Sequence, residues 1–510
     1  MPVVTSWPGV YVEESPSGAR SIPTAATSVT AFVGRARRGP VGEPVSCTSW
    51  GDFQRRFGGL WVESELGYAV AQFFDNGGGQ AVVSRVGAGA ESASTSVRAA
   101  TGPGKLDLVA AEPGGWGRSL RVTVSHGTPA TVTATDDTTF HLVIEEVDPV
   151  AEATLGAERA ILTRETFPQV SVDPAARRYV GRVLEQQSRL ARTTEVPALK
   201  PRAVERQTFD GGSDGSAAEA TDPETGEAID ALDHADLVNL LCVPPLDRDT
   251  PTTPGTWSYA LGWAERHRAV LLVDPPPEWA DAATAARLAG RTNLRSTNAA
   301  FYFPRIVGPD PLQRGLTRPF APSGAVAGVL SRTDAERGVW KAPAGTDARL
   351  VGVDALEQEL TDADSGVLNP SGVNALRRLT AVGPVVWGAR TGRGADVMAS
   401  EWKYLPVRRL ALHIENSLAR GTQWAVFEPN AEPLWAELRL SVTTFLHDLF
   451  RSGAFAGTTP REAYLVRCDA TTTTQADVDT GVVRIVVGFA PLRPAEFVML
   501  QFVQLAGAAA

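Results

Sequence analysis

The chain has 510 residues, which is enough for roughly two to four domains with a hydrophobic core each. Hydrophobic residues make up 43% of the sequence and charged residues 21%, a composition that is typical of a globular protein. The formal net charge of −10 argues against a direct nucleic-acid binder, because such proteins usually carry a basic face.

The cysteines and the apolar runs exclude further classes of protein. The three cysteines lie far apart, so they form neither a disulfide framework nor a four-cysteine zinc site. The first residues lack the basic and apolar segments of a signal peptide. No apolar run approaches the roughly 20 residues of a membrane helix. We therefore expect a chain that is made in the cytosol and is not inserted into a membrane.

Residues 1–21 are predicted to form an N-terminal arm. Val10, Tyr11 and Val12 make a short strand-like run, which proline and glycine residues bound on both sides. A strand of this length is not stable alone, so we expect it to pair with another strand.

An α/β domain is predicted in two pieces, residues 22–90 and residues 195–345. The first piece contains a strand at residues 27–34, a helix at 64–76 and a strand at 80–86. Short apolar strands alternate with helices again in the second piece. This order is typical of a mostly parallel sheet. The segments of the second piece are 236–243, 256–267, 269–273, 279–290, 299–303 and 322–334.

Residues 91–194 differ from both pieces of the α/β domain in their pattern of predicted elements. Short alternating strands, broken by glycine and proline, follow one another there, and a helix is predicted at residues 173–190. We interpret this stretch as a β-rich domain that is inserted into the α/β domain.

Residues 346–490 are predicted to form an α+β domain. It contains two amphipathic helices, at residues 407–418 and 433–451, and a strand between them at residues 423–427. Asn430 is predicted to cap the second helix.

The chain ends with two β-rich runs, at residues 482–489 and 496–505, which Pro491 and Pro494 separate. The second run is apolar on both faces, one formed by Phe497, Met499 and Val503 and the other by Val498, Leu500 and Phe502. Only five small residues follow this run. A strand of this kind must be covered by its own sheet or be donated to another chain.

Motifs for catalysis or phosphate binding are missing or incomplete. The glycine run at Gly77 lacks the lysine and hydroxyl residues of a phosphate-binding loop, so we interpret it as a helix end. His413 and Glu415 resemble half of a zinc-deaminase signature, but the paired cysteines do not follow. We therefore predict no cofactor and no metal.

Acidic residues in predicted loops leave two interpretations open. Asp210 and Asp214 lie in a glycine-rich segment that lacks the closing Glu of a calcium loop, which favours an exposed turn over a cation site. Asp247, Asp249 and Asp274 follow predicted strands, where α/β enzymes often place carboxylates. An α/β enzyme of unknown substrate therefore remains an alternative.

Several longer motifs occur at both ends of the chain and more sparsely in its middle. They are PGVYVEE (8–14), TAFVGRARRGP (30–40), EPGGWGRSL (112–120), GGSDG (211–215), LNPSGVNAL (368–376), VWGART (386–391), the stretch 402–435, EAYLVRCD (462–469), residues 481–483 and PAEFV (494–498). In this order they resemble the motifs of the tail sheath proteins of contractile phages and related contractile injection systems.

The resemblance implies a structural, non-enzymatic subunit. Hexameric rings of such subunits stack into a helical sleeve around an inner tube, and the sleeve contracts from a metastable extended state to drive the tube through a target envelope. The implied fold has an α+β sheath core, built from the C-terminal region and the N-terminal arm, a mixed α/β middle domain and an outer β-rich insertion. A rigid tube or capsid subunit that does not contract is the structural alternative.

The resemblance also implies partners and a location. The partners are further copies of the chain, the inner tube protein, and the baseplate and terminator proteins, with no nucleic acid bound directly and no membrane insertion. The particle is assembled in the bacterial cytoplasm as a phage tail or a phage-tail-like particle, and the motifs do not separate these two.

In this family, both arms add strands to the last domain of neighbouring subunits. The matching donated residues are Val10, Tyr11 and Val12, and Phe497, Val498, Met499, Leu500, Phe502 and Val503. The matching receiving residues are Tyr464, Val466, Val483, Ile485 and Val487. The residues expected to face the tube are Arg439, Arg451 and Arg461. The expected hinges are Pro16 and Gly18 at one end, and Pro491 and Pro494 in the C-terminal arm of residues 491–510.

Overall fold

The computed structural model of the protein describes residues 20–126, 137–248, 250–497 and residue 499. Within these residues no helix combines the length and the apolar character that crossing a bilayer requires. Several predicted site residues lie outside the described residues: Val10, Tyr11, Val12, Pro16, Gly18, Asp249, Val498, Leu500, Phe502 and Val503.

Strands occur in every part of the described chain. In chain order they are β1 (Thr30–Gly34), β2 (Val45–Cys47), β3 (Ala81–Arg85), β4 (Glu91–Arg98), β5 (Lys105–Ala110), β6 (Leu120–Ser125), β7 (Thr139–Val147), β8 (Ile161–Ser171), β9 (Ala191–Glu195), β10 (Val204–Thr208), β11 (Asp210–Ser213), β12 (Leu240–Cys242), β13 (Val270–Val273), β14 (Ala299–Phe303), β15 (Ile306–Asp310), β16 (Leu316–Phe320), β17 (Ala355–Leu356), β18 (Val373–Leu379), β19 (Gly383–Val386), β20 (Tyr464–Arg467) and β21 (Val486–Phe489).

The α-helices are concentrated outside the β-rich insertion. In chain order they are α1 (Trp50–Phe57), α2 (Leu66–Asp75), α3 (Pro149–Leu155), α4 (Val180–Gln187), α5 (Asp222–Asp230), α6 (Pro254–Arg266), α7 (Ala282–Ala289), α8 (Ser323–Arg337), α9 (Asp362–Leu368), α10 (Leu405–Gly421), α11 (Glu432–Arg451), α12 (Pro460–Ala463) and α13 (Gln475–Asp479).

An eight-stranded sheet lies at the centre of the fold, with the strand order β19-β18-β14-β13-β12-β1-β3-β2. The six inner strands run parallel, and the edge strands β19 and β2 are antiparallel to their neighbours. Strands such as β13 and β14 are buried on both faces, as the apolar runs predict. The predicted mixture of α/β and α+β architecture is confirmed. The sheet continues to Val386, and the division into domains at residue 345 stays a prediction.

Two hydrophobic cores lie on opposite faces of this sheet. In β1, Ala31 and Val33 belong to one core, whereas Phe32 between them belongs to the other. Helices α5, α6, α7 and α9 contribute to the first core, and helices α1, α2, α8 and α10 contribute to the second. The central domain is therefore a three-layer sandwich of helices, sheet and helices.

Helix α8 packs closely on α2 through two glycines. A Cβ atom at Gly328 would lie 2.5 Å from the carbonyl oxygen of Phe73, and a Cβ atom at Gly324 would overlap the backbone of Ala69. Only glycine allows the two helix backbones to approach so closely. This contact accounts for the small residues in the predicted helix at 322–334.

The β-rich insertion consists of two four-stranded sheets with the strand orders β10-β6-β7-β8 and β11-β4-β5-β9. Strands β10 and β11 extend these sheets beyond residue 194, where the sequence predicts the insertion to end. Alternate residues of both sheets, such as Leu108 of β5 and Leu142 of β7, belong to one shared core. The helix predicted at residues 173–190 is shorter than expected and begins at Val180. Before it, Asp173 Oδ1 accepts a hydrogen bond from Ala175 N at 2.9 Å, which favours a turn.

The two segments that connect the insertion to the central sheet run side by side. Ser216 N donates a hydrogen bond to the carbonyl oxygen of Ala88 at 3.1 Å. Arg85, fully buried at the end of β3, donates to the carbonyl oxygens of Gly39 (2.8 Å) and Pro113 (2.7 Å). Burial lowers the pKa of Arg85 to about 10, so the guanidinium stays charged at neutral pH. The insertion thus leaves and rejoins the central domain at one fixed point.

The last domain packs α10 and α11 against the two-stranded sheet of β20 and β21. Its core contains Leu410 and Ile414 of α10 and Val442, Phe445 and Leu449 of α11. The helical spacing of the sequence predicts these positions as the buried stripes.

Two local predictions in the last domain are wrong. Residues 423–427 form no strand; Gln423–Ala425 is a short 3-10 helix, in which Ala425 N donates to Thr422 O at 3.0 Å. Asn430 does not cap α11, because the N-cap residue is Ala431. The Asn430 side chain accepts a hydrogen bond from Trp435 Nε1 at 2.8 Å instead.

Candidate assembly interface

The two-stranded sheet of the last domain has one covered face and one exposed face. Val466 pairs with Val487, and both pack on the core that contains α11. On the other face Leu465 and Val486 are 45% and 47% exposed. Within the described residues, each of the two strands is paired along one edge only. Free backbone groups beside an exposed apolar surface are the geometry that accepts an added strand.

The predicted receiving residues are divided between these strands and a loop. Tyr464, Val466 and Val487 lie in β20 and β21 on the covered face. Val483 and Ile485 precede β21, and their side chains pack into the last domain.

The predicted strand at residues 482–489 begins four residues late, at Val486. Side chains take the places of ladder partners before it. Asn430 Nδ2 donates to Val482 O at 3.0 Å, and Arg484 N donates to Thr473 Oγ1 at 3.1 Å. These contacts explain the shorter strand, since the same backbone groups are no longer available for pairing.

The first described residues, which precede β1, lie against the surface of the last domain. The guanidinium of Arg20 lies 4.4 Å from the ring centroid of Trp424 and pairs with Glu437 of α11 at 3.2 Å. Ile22 packs so closely on Gly421 that a Cβ atom there would lie 2.5 Å from Ile22 Cγ2. The residues described at the end of the predicted N-terminal arm and directly after it therefore lie against the last domain.

The C-terminal run is exposed where the structure describes it. The side chains of Phe497 and Met499 are 78% and 95% exposed. Pro491, one of the two predicted hinge prolines there, forms a bridge with Phe455. Large apolar side chains that follow one another on a surface indicate contact with another molecule.

Glu496 holds the start of this run against the central domain. Its carboxylate accepts hydrogen bonds from Arg390 Nε at 2.8 Å and from Nη2 at 2.5 Å, which makes a bidentate ion pair. Arg390 Nη1 donates to Asn369 O (2.7 Å), Asp396 Oδ1 (3.0 Å) and Gly394 O (3.1 Å). The Arg390 side chain is 1% exposed. Although burial lowers the pKa of Arg390, the Glu496 hydrogen bond helps to raise it above its ordinary value.

Motifs that lie far apart in the sequence meet at Arg390. Asn369 and Asn374 come from LNPSGVNAL, Arg390 from VWGART and Glu496 from PAEFV. The Asn374 side chain binds the backbone of Arg390 through two hydrogen bonds, of 2.7 and 2.9 Å. Sequence reasoning missed Arg390 and Glu496 as site residues, because 106 residues separate them. The only signal for the pair was the presence of the motifs themselves.

The three arginines that were expected to face a tube differ in their surroundings. Arg439 donates to the carbonyl oxygen of Cys468 and pairs with Glu432 at 3.2 Å. Arg451 and Arg461 are exposed, and neither has an ion pair within the described residues. These two cations are free to bind a partner.

Three of the acidic residues considered for catalysis or metal binding accept hydrogen bonds from backbone N–H groups. Asp214 accepts a hydrogen bond from Gly115 N at 2.7 Å. Asp247 accepts one from Thr250 N at 2.6 Å. Asp274 is fully buried and accepts hydrogen bonds from Ser323 N and Oγ, both at 2.8 Å, at the start of α8. Burial raises the pKa of Asp274 to about 7. Asp210 lies exposed at the start of β11.

His413 and Glu415 do not form a metal site. His413 is buried next to Arg409, and burial followed by this positive charge lowers its pKa to about 4. Glu415 pairs with Arg408 at 3.4 Å. Among the residues that the structure describes, no group of three or more His, Cys, Asp or Glu side chains has the arrangement of a metal site.

Two family models match the chain. The phage tail sheath protein central domain matches residues 218–392, and the phage tail sheath C-terminal domain matches residues 398–504. The tail sheath protein of Enterobacteria phage T4 is 25% identical over 182 residues, which are 36% of this chain and 26% of that protein. The chain thus matches about a quarter of the length of this relative.

Three solved structures are similar over nearly the whole chain. A chain of the anti-feeding prophage baseplate is 25% identical with a TM-score of 0.57, over 98% of this chain and 99% of that one. A chain of the contracted sheath complex of the PVC extracellular contractile injection system is 21% identical with a TM-score of 0.57, over 99% of both chains. The sheath tail protein of Listeria innocua is 12% identical with a TM-score of 0.63, over 92% of this chain and 96% of that one. At these identities, the PVC and Listeria structures show that the chain has the same fold. Because the two family models together cover more than half of its 510 residues, the chain belongs to the phage tail sheath protein family.

Proposed function

We propose that the chain is a non-enzymatic subunit of a contractile sheath, in which hexameric rings stack into a helical sleeve around an inner tube. The sleeve is assembled in the bacterial cytoplasm in a metastable extended state, and its contraction drives the tube through a target envelope. The partners are further copies of this chain, an inner tube protein, and baseplate and terminator proteins. Membership in the sheath family supports this proposal.

One observation carries the proposal: a sheet with a free edge and a chain end with exposed apolar residues occur in the same molecule. Leu465 and Val486 are exposed on the sheet, and Phe497 and Met499 are exposed on the C-terminal run. Each surface supplies what the other lacks, because an added strand covers the edge and buries its own side chains. The run of one copy therefore pairs with the β20–β21 sheet of the next.

The energetics favour this pairing only when side chains are buried. A backbone hydrogen bond contributes about 0.5–1.5 kcal/mol, and ordering a residue costs about 1–2 kcal/mol. These contributions nearly cancel along an added strand. Burial of a large apolar side chain contributes about 1.5–3 kcal/mol, and residues 496–505 contain several such side chains. The N-terminal arm has fewer, so it is the weaker link and depends on many subunits binding together.

Contraction does not need a bound nucleotide. The sequence contains no nucleotide-binding motif, and a strained lattice that relaxes to a better-packed one can supply the work. The proline and glycine residues that bound the N-terminal arm act as a joint in this relaxation. Arg451 and Arg461 are the cations that contact the inner tube.

Deletion of residues 497–510 tests the proposal and keeps Glu496 in place. The truncated protein should remain folded, with an unchanged midpoint of thermal unfolding, and should form no long sleeves in electron micrographs. Deletion of residues 506–510 alone, which are small, is the matched control and should leave the sleeves intact. Long, normal sleeves from the first variant would overturn the proposed strand donation.

A further inference from the structure

We infer that the Arg390–Glu496 ion pair fixes the point at which the C-terminal arm leaves the subunit. The inference rests on the proposed function, because it concerns the arm that joins neighbouring copies. It also places the joint of the C-terminal arm at Glu496 and not at Pro491 or Pro494.

The segment before the donated run, residues 490–496, is attached at both of its ends. At one end, Ala456 N donates to the carbonyl oxygen of Ala490 at 2.9 Å, and Pro491 forms a bridge with Phe455. At the other end, Glu496 is bound to Arg390. The first attachment belongs to the last domain, whereas Arg390 follows β19 of the central sheet. Residues 490–496 therefore form a strap that connects the two domains.

The ion pair with Arg390 both holds Glu496 in place and fixes the orientation of the chain there. A bidentate arginine–carboxylate pair fixes the plane of the carboxylate, so it defines the orientation of the chain at Glu496. The guanidinium is buried, and its other carboxylate partner, Asp396, is half-exposed. Loss of Glu496 would leave much of the positive charge of Arg390 without compensation. The fold thus favours the attached arrangement of the strap.

This arrangement gives the ion pair a role in assembly. A donated strand that starts from a rigid point reaches its neighbour with a defined direction, and less conformational entropy is lost on pairing. The strap also connects the donated strand directly to the central sheet. A rotation of the central domain is therefore transmitted to the neighbouring subunit through Glu496.

Two single substitutions separate this role from a general effect on Arg390, and a third tests the geometry of the pair. Glu496→Gln keeps the size of the side chain but removes its charge from the strap. Asp396→Asn makes the same change at the other carboxylate of Arg390, which lies outside the strap. Arg390→Lys keeps the positive charge but cannot form the bidentate pair.

The first measurement is the mobility of a nitroxide label at Ala495→Cys, by electron paramagnetic resonance on the unassembled subunit. Ala495 is exposed, and the three natural cysteines are buried, so the label reports one position. We expect restricted motion in the otherwise natural sequence and in Asp396→Asn. We expect fast motion in Glu496→Gln and in Arg390→Lys.

The second measurement is the protein concentration at which sleeves form, followed by sedimentation and electron microscopy. Glu496→Gln should raise this concentration about tenfold, and Asp396→Asn should leave it unchanged within about twofold. The ~tenfold change corresponds to a loss of about 1.4 kcal/mol in pairing. Circular dichroism confirms that each variant is folded.

Either of two results would overturn the inference. Equal label mobility in Glu496→Gln and the natural sequence would show that the ion pair does not hold the strap. Equal loss of assembly in Asp396→Asn and Glu496→Gln would show a general effect of Arg390. If the unaltered chain forms no sleeves, the proposed function fails, while the label still decides whether the ion pair fixes the arm.

Discussion

Arg409 of α10 and Asp334 of α8 form a bidentate ion pair between the last domain and the central domain. The two N–O distances are 2.9 and 2.6 Å, and the side chains are 3% and 4% exposed. Arg409 Nη2 also donates to the carbonyl oxygen of Thr27 at 3.0 Å. One guanidinium therefore connects α10, α8 and the segment that precedes β1.

Removal of one partner of this pair should destabilise the protein strongly. Arg409→Met should lower the free energy of unfolding by about 3–5 kcal/mol, because it leaves the Asp334 carboxylate buried without its partner. The double variant Arg409→Met/Asp334→Leu should recover most of the loss. Urea unfolding followed by tryptophan fluorescence measures both changes.

The exposed pair of Arg420 and Asp236 is the control for this prediction. Arg420→Met should lower the free energy of unfolding by less than about 1 kcal/mol, since exposed ion pairs contribute little. A loss at Arg420 as large as that at Arg409 would contradict the argument from burial.

The glycine contact between α8 and α2 makes a second prediction. Gly328→Ala should destabilise the protein by about 1–3 kcal/mol, because the new methyl group meets the backbone of α2. Gly262→Ala in α6 should instead stabilise it by about 0.5–1 kcal/mol, since a Cβ atom there would meet only the end of the Arg266 side chain, at 3.6 Å. Thermal unfolding of both variants provides the comparison, and shifts of the same sign would refute it.

A third prediction concerns how the stability of the protein depends on pH through His413. Its pKa is about 4 in the folded protein against an ordinary value of 6.5, so the unfolded chain binds this proton more readily. As the pH falls from 6.5 towards 4, the natural protein loses this part of its stability. His413→Leu removes the titrating group, so its stability relative to the natural protein should rise as the pH falls.

Urea unfolding at about pH 7.5 and about pH 5 tests this difference. The raised pKa of Asp274 changes the stability with pH in the opposite direction. Because Asp274 is present in both proteins, its contribution cancels from the difference in stability. A stability difference that is the same at both pH values would rule out the assigned role of His413.

The exposed face of the β20–β21 sheet makes a fourth prediction. Leu465→Ser and Val486→Ser should change the free energy of unfolding by no more than about 0.5 kcal/mol, because both side chains are exposed in the subunit. Combined, they should reduce sleeve formation, because a donated strand would bury less apolar surface. Leu316→Ser, at another exposed leucine, is the matched control. Undiminished sleeves from the double variant would exclude this face as a contact surface.

The central strands could be predicted closely from the sequence. The apolar runs at residues 269–273 and 299–303 correspond to Val270–Val273 and Ala299–Phe303. Strands that are buried on both faces consist of apolar runs between polar or turn residues, and this pattern is local. The buried stripes of α10 and α11 were predictable for the same reason.

Contacts between distant segments could not be predicted in this way. The short strand β17 was missed, because Ala355 and Leu356 form a strand only by pairing with β15. The pairing of Glu496 with Arg390 likewise depends on tertiary packing and leaves no pattern in either local sequence. Side-chain contacts with Asn430 and Thr473 shorten the strand that ends at Phe489, and β-propensity alone does not predict these contacts.

The contact between Ser216 and Ala88 means that the β-rich insertion begins and ends at neighbouring positions of the central domain. A segment with adjacent ends can be lengthened, shortened or exchanged at little cost in loop-closure entropy. The central sheet, the strap and the β20–β21 sheet are all built from residues outside this segment. The position is therefore suited to grafting: a foreign domain whose termini lie close together can replace the insertion and decorate every subunit of the assembled particle.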